Sequence, residues 1–347
     1  MTHPGYPDTQ GVWDSTVALP EQLRTATTGA TAVLAGTALP GPHEIRSVAV
    51  FGMGTSAIAA DAVAAYAAMR SSVPIWVGHG YESPSFVGPD TLVFALSASG
   101  STEETVSAAA AAHAQGALVV MVSGSGALTA MAIDSGAPLF EVPATLSPRT
   151  ALGALTVPVL ATLARIGLTP EVTTELDEVW ASLSRRRDTL LGPGSPTAEV
   201  ARRIGRTIPL VYGSTGVTAV AARRWKTQVN ENAKTPAFCA VVPELSHDEL
   251  AGWGQNGDVT RQVLTLITLR HAGEHPQVAR QFELVVDATD EVMANVIPVW
   301  AEDDSDLSTF FNLVLFGDLV SLHMAGRERT DPGPVPALTD LGSALRS

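Results

Sequence analysis

An α/β protein with two parallel sheets, each flanked by helices, is what the sequence predicts, and three observations predict it. Short apolar runs alternate with helix-prone runs from Ser47 onward, the pattern of a parallel sheet covered on both faces. A strand, a glycine turn and a helix start occur twice: Gly52 and Gly213 hold the same place in two copies, 161 residues apart. The 347 residues are 46% apolar but only 5% aromatic, so the core is large and built mainly from Ala, Val and Leu. At ~150 residues per domain the length holds about two domains. The expected organisation is an N-terminal domain at 1–168 with a leading helix, linker helices at 169–200, and a C-terminal domain at 201–347 with an extended tail.

Taken in order, Pro20–Ala35 reads as the leading helix and Ser47–Phe51 as the first buried strand. Gly52-Met53-Gly54-Thr55-Ser56 follows, and Ala57–Met69 is Ala-rich and helix-prone. Further strands are expected at Pro74–Val77, Thr91–Leu96, Ala117–Val122 and Pro138–Val142, with a helix at Thr102–His113. In the second half, Thr207–Tyr212 is a strand, Gly213–Gly216 a turn and Val217–Asn230 a helix. Phe238–Val242, Gln262–Leu269, Phe282–Val286 and Val296–Val299 read as strands. The prolines of Asp331-Pro332-Gly333-Pro334-Val335-Pro336 make the tail extended.

Charge and composition exclude several classes. Lys+Arg is 21 against 35 Asp+Glu, a net −14, which disfavours nonspecific nucleic-acid or anionic-membrane binding. It leaves room for a small anionic ligand at a local site. Cys239 is the lone cysteine, so an intrachain disulfide is excluded and a cysteine zinc site disfavoured. Met1–Gln10 lacks a basic-then-apolar leader, and Ala151–Ala164 is short of the ~20 apolar residues of a span. It reads as a buried core helix, and the cytoplasm is the expected location. Arg185-Arg186-Arg187 reads as a solvated helix face.

The glycine turns carry the first functional signal. Gly52-x-Gly54-x-x-Ala57 fits a dinucleotide fingerprint, but the acid that should hold the ribose at the end of the second strand is absent there, where the chain reads Val77-Gly78-His79. A tight turn that binds nothing is the alternative. Ser97-Ala98-Ser99-Gly100-Ser101-Thr102 then places four hydroxyls within six residues at a helix N-terminus. Such a terminus favours phosphate. N-capping by Ser99 or Ser101 accounts for one of these hydroxyls, not four. Both turns follow strands, so a doubly wound sheet brings them to the edge where ligands bind, and Ser56 joins them. Neither turn has a lysine, so this is no Walker-type loop.

Three residues stand out for chemistry. Glu231, in Asn230-Glu231-Asn232-Ala233-Lys234, ends a helix. The negative end of the dipole should raise its pKa and make it a better base, unless it is a solvated partner of Lys234. His247, in Pro243-Glu244-Leu245-Ser246-His247-Asp248-Glu249, is a proton shuttle or a polar loop residue. Arg149, in Ser147-Pro148-Arg149-Thr150, opens a helix and fits an anion or a carboxylate there. His271-Ala272-Gly273-Glu274-His275 fits the H-x-x-E-H zinc pattern, but Gly273 and Pro276 break the helix it needs. A surface loop is the reading preferred.

The segments FGMGTSAIAAD (51–61), SASGSTEET (97–105), SPRTALG (147–153), RWKTQVNENAK (224–234), PELSHDE (243–249) and DPGPV (331–335) together resemble the bifunctional phosphoglucose/phosphomannose isomerases. These are built from two sugar-isomerase (SIS) domains of flavodoxin-like three-layer architecture. The match runs from about residue 48 to the C-terminus; NENAK and PELSH are specific to the family, and the phosphate turns are shared by SIS domains generally. The resemblance implies that Ser56, Ser97, Ser99 and Thr102, with Gly54 in the turn, hold a sugar phosphate. It implies that Arg149 stabilises an enediolate and that Glu231 moves a proton between C2 and C1. His247, reaching in from the partner subunit of a homodimer, would open the sugar ring. No metal or organic cofactor is implied.

Departures from the family pattern are Thr55 for glycine, Ser101 for asparagine, and Asp248 for asparagine. A β-branched Thr55 restricts a turn that wants positive φ, and is expected to narrow the phosphate cradle or move its N–H groups. The tail from Asp331 to Ala337 lacks a hydroxyl, which bears on whether both epimers are accepted. The expected activity is interconversion of fructose 6-phosphate with glucose 6-phosphate, mannose 6-phosphate, or both. The alternatives are a sugar-phosphate-binding protein with a regulatory role and little or no turnover, or another SIS enzyme.

Overall fold

The computed structural model describes residues 5, 7–303 and 305–345. The chain divides into two compact units: residues 18–181, and residues 182–347 with the N-terminal stretch up to Val17.

In the first unit, α2 (Leu19–Gly36) precedes β1 (Ser47–Gly52), α3 (Thr55–Ala67), β2 (Ile75–Gly78) and β3 (Thr91–Ser97). Then come α4 (Glu103–Ala114), β4 (Leu118–Ser123), α5 (Ala127–Ser135), β5 (Leu139–Glu141) and α6 (Leu152–Ile166). The five strands are parallel in the order β2-β1-β3-β4-β5. All seven residues of β3 are buried, as a central parallel strand requires. Alternate residues such as Ala49, Phe51, Val93, Ala95 and Met121 form a core with the alanines of α4 and with Leu128 of α5. Helices α3 and α6 pack on β1, β3 and β4 as well. Alanine-rich helices lie close to the sheet, which is how a core poor in aromatics fills its volume. The expected core helix is α6, buried almost throughout.

The second unit holds β6 (Ile208–Ser214), α9 (Val217–Asn232), β7 (Phe238–Val242), α10 (Gly257–Val263), β8 (Leu264–Arg270), α11 (Pro276–Thr289), β9 (Asn295–Trp300), α12 (Asp306–Arg327) and α13 (Pro336–Leu345). Helices α1 (Val12–Val17) and α8 (Pro196–Ile204) pack on α12, and α7 (Thr173–Leu190) carries the chain from one unit into the other. Four parallel strands run in the order β7-β6-β8-β9.

Four local readings change. Phe282–Val286 is not a strand but part of α11, whose buried residues Phe282, Val285 and Thr289 fall at helical spacing. Four apolar residues in five do not distinguish the two by themselves; Pro276 and the His275 side chain, which accepts from Gln277 N at 3.1 Å, start the helix. Gln262 and Val263 end α10 rather than open β8. Arg186 is buried: it bonds Glu302 and lies 5.4 Å over the Phe316 ring, so only Arg185 has the open exposure expected of the arginine run. The tail ends in α13, a helix the prolines concealed.

Among the described residues, α12 is long and apolar enough to cross a membrane, yet 94% of that apolar window is buried inside the protein. It is the core helix of its unit. Its interior Asp318 pairs with Arg224 of α9, with Nε–Oδ1 at 3.0 Å and Nη2–Oδ2 at 2.7 Å, both side chains buried. Burial raises the Asp318 pKa, Arg224 opposes the rise, and the nearby Glu231 adds to it.

Candidate active site

In the first unit, three turns leave the carboxyl ends of adjacent strands: after β1, after β3 and after β4. The register pairs Gly52 with Leu96 and Ser97 with Ser123, so the three turns emerge side by side. Gly54 takes the positive φ of the first turn (56°) and precedes α3, which has no side-chain cap. Thr55 is therefore the first helical residue, and the positive φ falls on Gly54, so the restriction expected of a β-branched residue does not arise there. Its hydroxyl donates to the Arg149 carbonyl at 3.1 Å. Ser56 is buried one residue on, and its N–H bonds the Met53 carbonyl at 3.0 Å.

The second turn brings three of its four hydroxyls together. Ser97 Oγ lies 2.9 Å from Thr102 Oγ1 and 3.3 Å from Ser99 Oγ, and Ser99 lies 3.5 Å from Thr102. Thr102 is the N-cap of α4, yet its side chain makes no capping bond. The N-cap is thus Thr102 and not the Ser99 or Ser101 of the capping alternative, and the three hydroxyls are grouped with one another. Ser99 also accepts from Ser101 N at 3.4 Å. The acids Glu103 and Glu104 stand in the first turn of α4, as the dipole favours. Among the described residues, no hydrogen bond joins Ser56 to this cluster.

Sequence reasoning passed over the third turn, Ser123-Gly124-Ser125-Gly126. It braces the cradle: Gly124 N donates to the Ser97 carbonyl at 3.2 Å, and Leu128 N to the Gly100 carbonyl at 3.0 Å. Gly100 has φ 69°, and a Cβ there would run into the Ser125 carbonyl, so no other residue fits. The alternating Ser-Gly pattern after a strand was the available signal. His79 is a second omission. Its Nδ1 lies 3.2 Å from the Gly52 carbonyl and its Nε2 3.3 Å from Asp61, tying the end of β2 to the first turn and to α3.

Arg149 sits in a turn just before α6 rather than in the helix. The turn is closed by Thr150 N to the Ser147 carbonyl at 3.0 Å and by Ser147 Oγ to Thr150 Oγ1 at 3.2 Å.

In the second unit, Glu231 is half-buried in the last turn of α9. Its neighbours fix that turn. Asn230 Nδ2 donates to the Thr235 carbonyl at 2.9 Å, and Asn232 Nδ2 to Ser321 Oγ of α12 at 2.9 Å. Lys234, at φ 55°, bonds the Glu231 carbonyl and the Pro332 carbonyl, the latter at 3.2 Å. The tail is thereby anchored beside the end of α9. Asp331 adds a second anchor, accepting from Thr9 Oγ1 at 2.6 Å and Gly333 N at 2.9 Å. Burial works to raise its pKa, but the Thr9 and Gly333 bonds and the Lys234 charge outweigh that and lower it.

His247 ends a short 3-10 turn (Glu244–His247) after β7. Leu245 is buried in the core of its unit, while His247 is exposed. Asp248 accepts from Glu249 N, a bond that an asparagine Oδ1 would also make. Glu249 in turn accepts from the buried Tyr212 hydroxyl, whose pKa burial and then Glu249 raise. In the H-x-x-E-H segment, which forms a loop, the Glu274 carboxylate holds Arg270 at 2.7–2.9 Å.

The hydroxyl cluster of the first unit can bind a small tetrahedral anion, and the second unit carries Glu231 on a turn held by its neighbours. Comparison with known proteins bears on the family. Residues 43–164 match the SIS domain, and residues 194–345 match the bacterial phospho-glucose isomerase C-terminal SIS domain. A bifunctional phosphoglucose/phosphomannose isomerase of Caldicellulosiruptor bescii is 31% identical over 307 residues, covering 87% of this chain and 90% of that one. One from Aquifex aeolicus is 32% identical, covering 87% and 91%. The chain belongs to the bifunctional phosphoglucose/phosphomannose isomerase family.

The crystal structure of tagatose-6-phosphate ketose/aldose isomerase from Escherichia coli has a TM-score of 0.70 at 17% identity, covering 93% of this chain and 95% of that one. At that identity the likeness is one of fold. Within the isomerase family, the two matched regions fall on the two sheets in turn: 43–164 takes in β1 to β5, and 194–345 takes in β6 to β9.

Proposed function

We infer that this protein is an aldose–ketose isomerase interconverting fructose 6-phosphate with glucose 6-phosphate, mannose 6-phosphate, or both, through a cis-enediol. The observation that carries the reading is the Ser97–Ser99–Thr102 hydroxyl cluster at the uncapped start of α4, in a member of this family. In the reading, that cluster and Ser56 hold the phosphate, with the turn shaped by Gly54. Hydroxyl and main-chain donors suit a dianion that must leave again, since they add no fixed charge.

Glu231 takes the proton from C2 of the bound open-chain aldose and returns it to C1, while the proton of the O2 hydroxyl passes to O1, so that no atom is gained or lost. The anchored asparagines on either side restrict the motion of the turn that carries it, which is what a base needs for both transfers. Arg149 stabilises the negative charge on the enediolate oxygen. His247 opens the sugar ring, and its exposed position fits delivery to a partner subunit in a homodimer. Phosphosugars are cytoplasmic metabolites, and the cytoplasm is where we place the enzyme.

The test is isomerisation of glucose 6-phosphate and mannose 6-phosphate measured side by side, with fructose 6-phosphate as product. Turnover of at least one is expected. Tight binding of all three with no turnover would instead favour a regulatory binder.

A further inference from the structure

The turn carrying Arg149 has two consecutive main-chain carbonyls, and each is held by a side chain from a different helix. The Thr150 carbonyl accepts from Gln22 Nε2 of α2 at 2.9 Å, and Gln22 Oε1 accepts from Gly153 N at 2.6 Å. The Arg149 carbonyl accepts from the Thr55 hydroxyl of α3 at 3.1 Å. Thr55 lies between Gly54 and Ser56 in the first turn. One hydroxyl therefore links the phosphate turn to the backbone of the residue read as stabilising the intermediate. A bond to the carbonyl fixes the peptide plane that follows the residue, and with it the backbone from which the side chain departs.

We propose that Thr55 is a positioning residue for Arg149, acting on the chemical step rather than on phosphate affinity. The proposal rests on the role given to Arg149 above. The charge that Arg149 meets develops only after the sugar is bound, so an error in its placement falls on kcat and not on KM. Ser56 and the Ser97 cluster, which carry the phosphate in that reading, make no use of the Thr55 hydroxyl.

The experiment measures kcat and KM for fructose 6-phosphate in T55V, T55S, R149K and the T55V/R149K double variant. T55V keeps the shape and loses the hydroxyl, and T55A repeats the loss should T55V fold poorly. We expect T55V to lower kcat about fivefold, the loss of one neutral hydrogen bond, with KM within about twofold. T55S should restore wild-type turnover, and T55V should cost less in the R149K background than alone. A T55V that raises KM with kcat unchanged, or that costs as much beside R149K, overturns the proposal. If R149K turns over like wild type, the role of Arg149 itself fails, and Thr55 has nothing to position. A wild-type T55V beside a crippled R149K removes Thr55 alone.

Discussion

The Ser97 hydroxyl lies 2.9 Å from that of Thr102, and this contact takes the N-cap side chain of α4 away from its own helix. A hydroxyl at an N-cap ordinarily accepts from the helix and adds about 1 kcal/mol of stability. Here that use is forgone, and in the proposed reading the hydroxyl is kept for the phosphate.

The consequence is a separation of binding from stability. T102V and S97A should each weaken fructose 6-phosphate binding, by about tenfold for a lost bond to a charged group, and leave the melting temperature within a few degrees. Calorimetric titration with the sugar phosphate and a thermal melt check both halves. A fall in stability with affinity intact would mean that the hydroxyls serve the helix after all.

Much of this was legible in the sequence, and the reasons are particular. The strands from β1 to β5 could be read because buried parallel strands are uninterrupted apolar runs, and Ser47–Gly52 and Thr91–Ser97 fall within a residue of their expected ends. The hydroxyl cluster was visible because four such residues in six exceed what a cap uses. Phe282–Val286 was misread because its neighbours on the buried face of α11 lie outside the apolar run. Arg186 was misread because its partner Glu302 lies far along the chain. The third turn, at Ser123–Gly126, was passed over because serine and glycine also make ordinary loops; its work is to brace the Ser97 turn.

The exposed His247 yields a prediction about assembly. If the partner subunit supplies the imidazole, E231Q and H247A should each be inactive alone. Mixed and allowed to exchange subunits, they form heterodimers with one intact site. Activity should then recover to about a quarter of wild type, since random pairing makes half the dimers mixed and each has one of two sites. A mixture that stays inactive after demonstrated exchange argues that each chain uses its own histidine.

A further test concerns acid stability. His323, stacked edge-on against Trp13 at 5.3 Å, has its pKa lowered by burial from 6.5 to about 4. Below about pH 6.5 the unfolded chain takes up a proton that the folded chain refuses. Stability from this group is therefore full above pH 6.5, falls as pH drops toward 4, and levels off below that. The difference in melting temperature between wild type and H323Q, followed from pH 7 to pH 4, should move against the wild type as pH falls. A constant difference would mean that the ring titrates alike in both states.

The central claim is that Glu231 is the base of an isomerase, and its most direct measurement is the turnover of fructose 6-phosphate by Glu231→Gln beside the wild type. Gln keeps the size and loses the proton acceptor. The account predicts a fall in kcat on the order of 10²–10⁴-fold, the usual contribution of a general base, with sugar-phosphate binding retained. An E231Q enzyme that isomerises at the wild-type rate would contradict it.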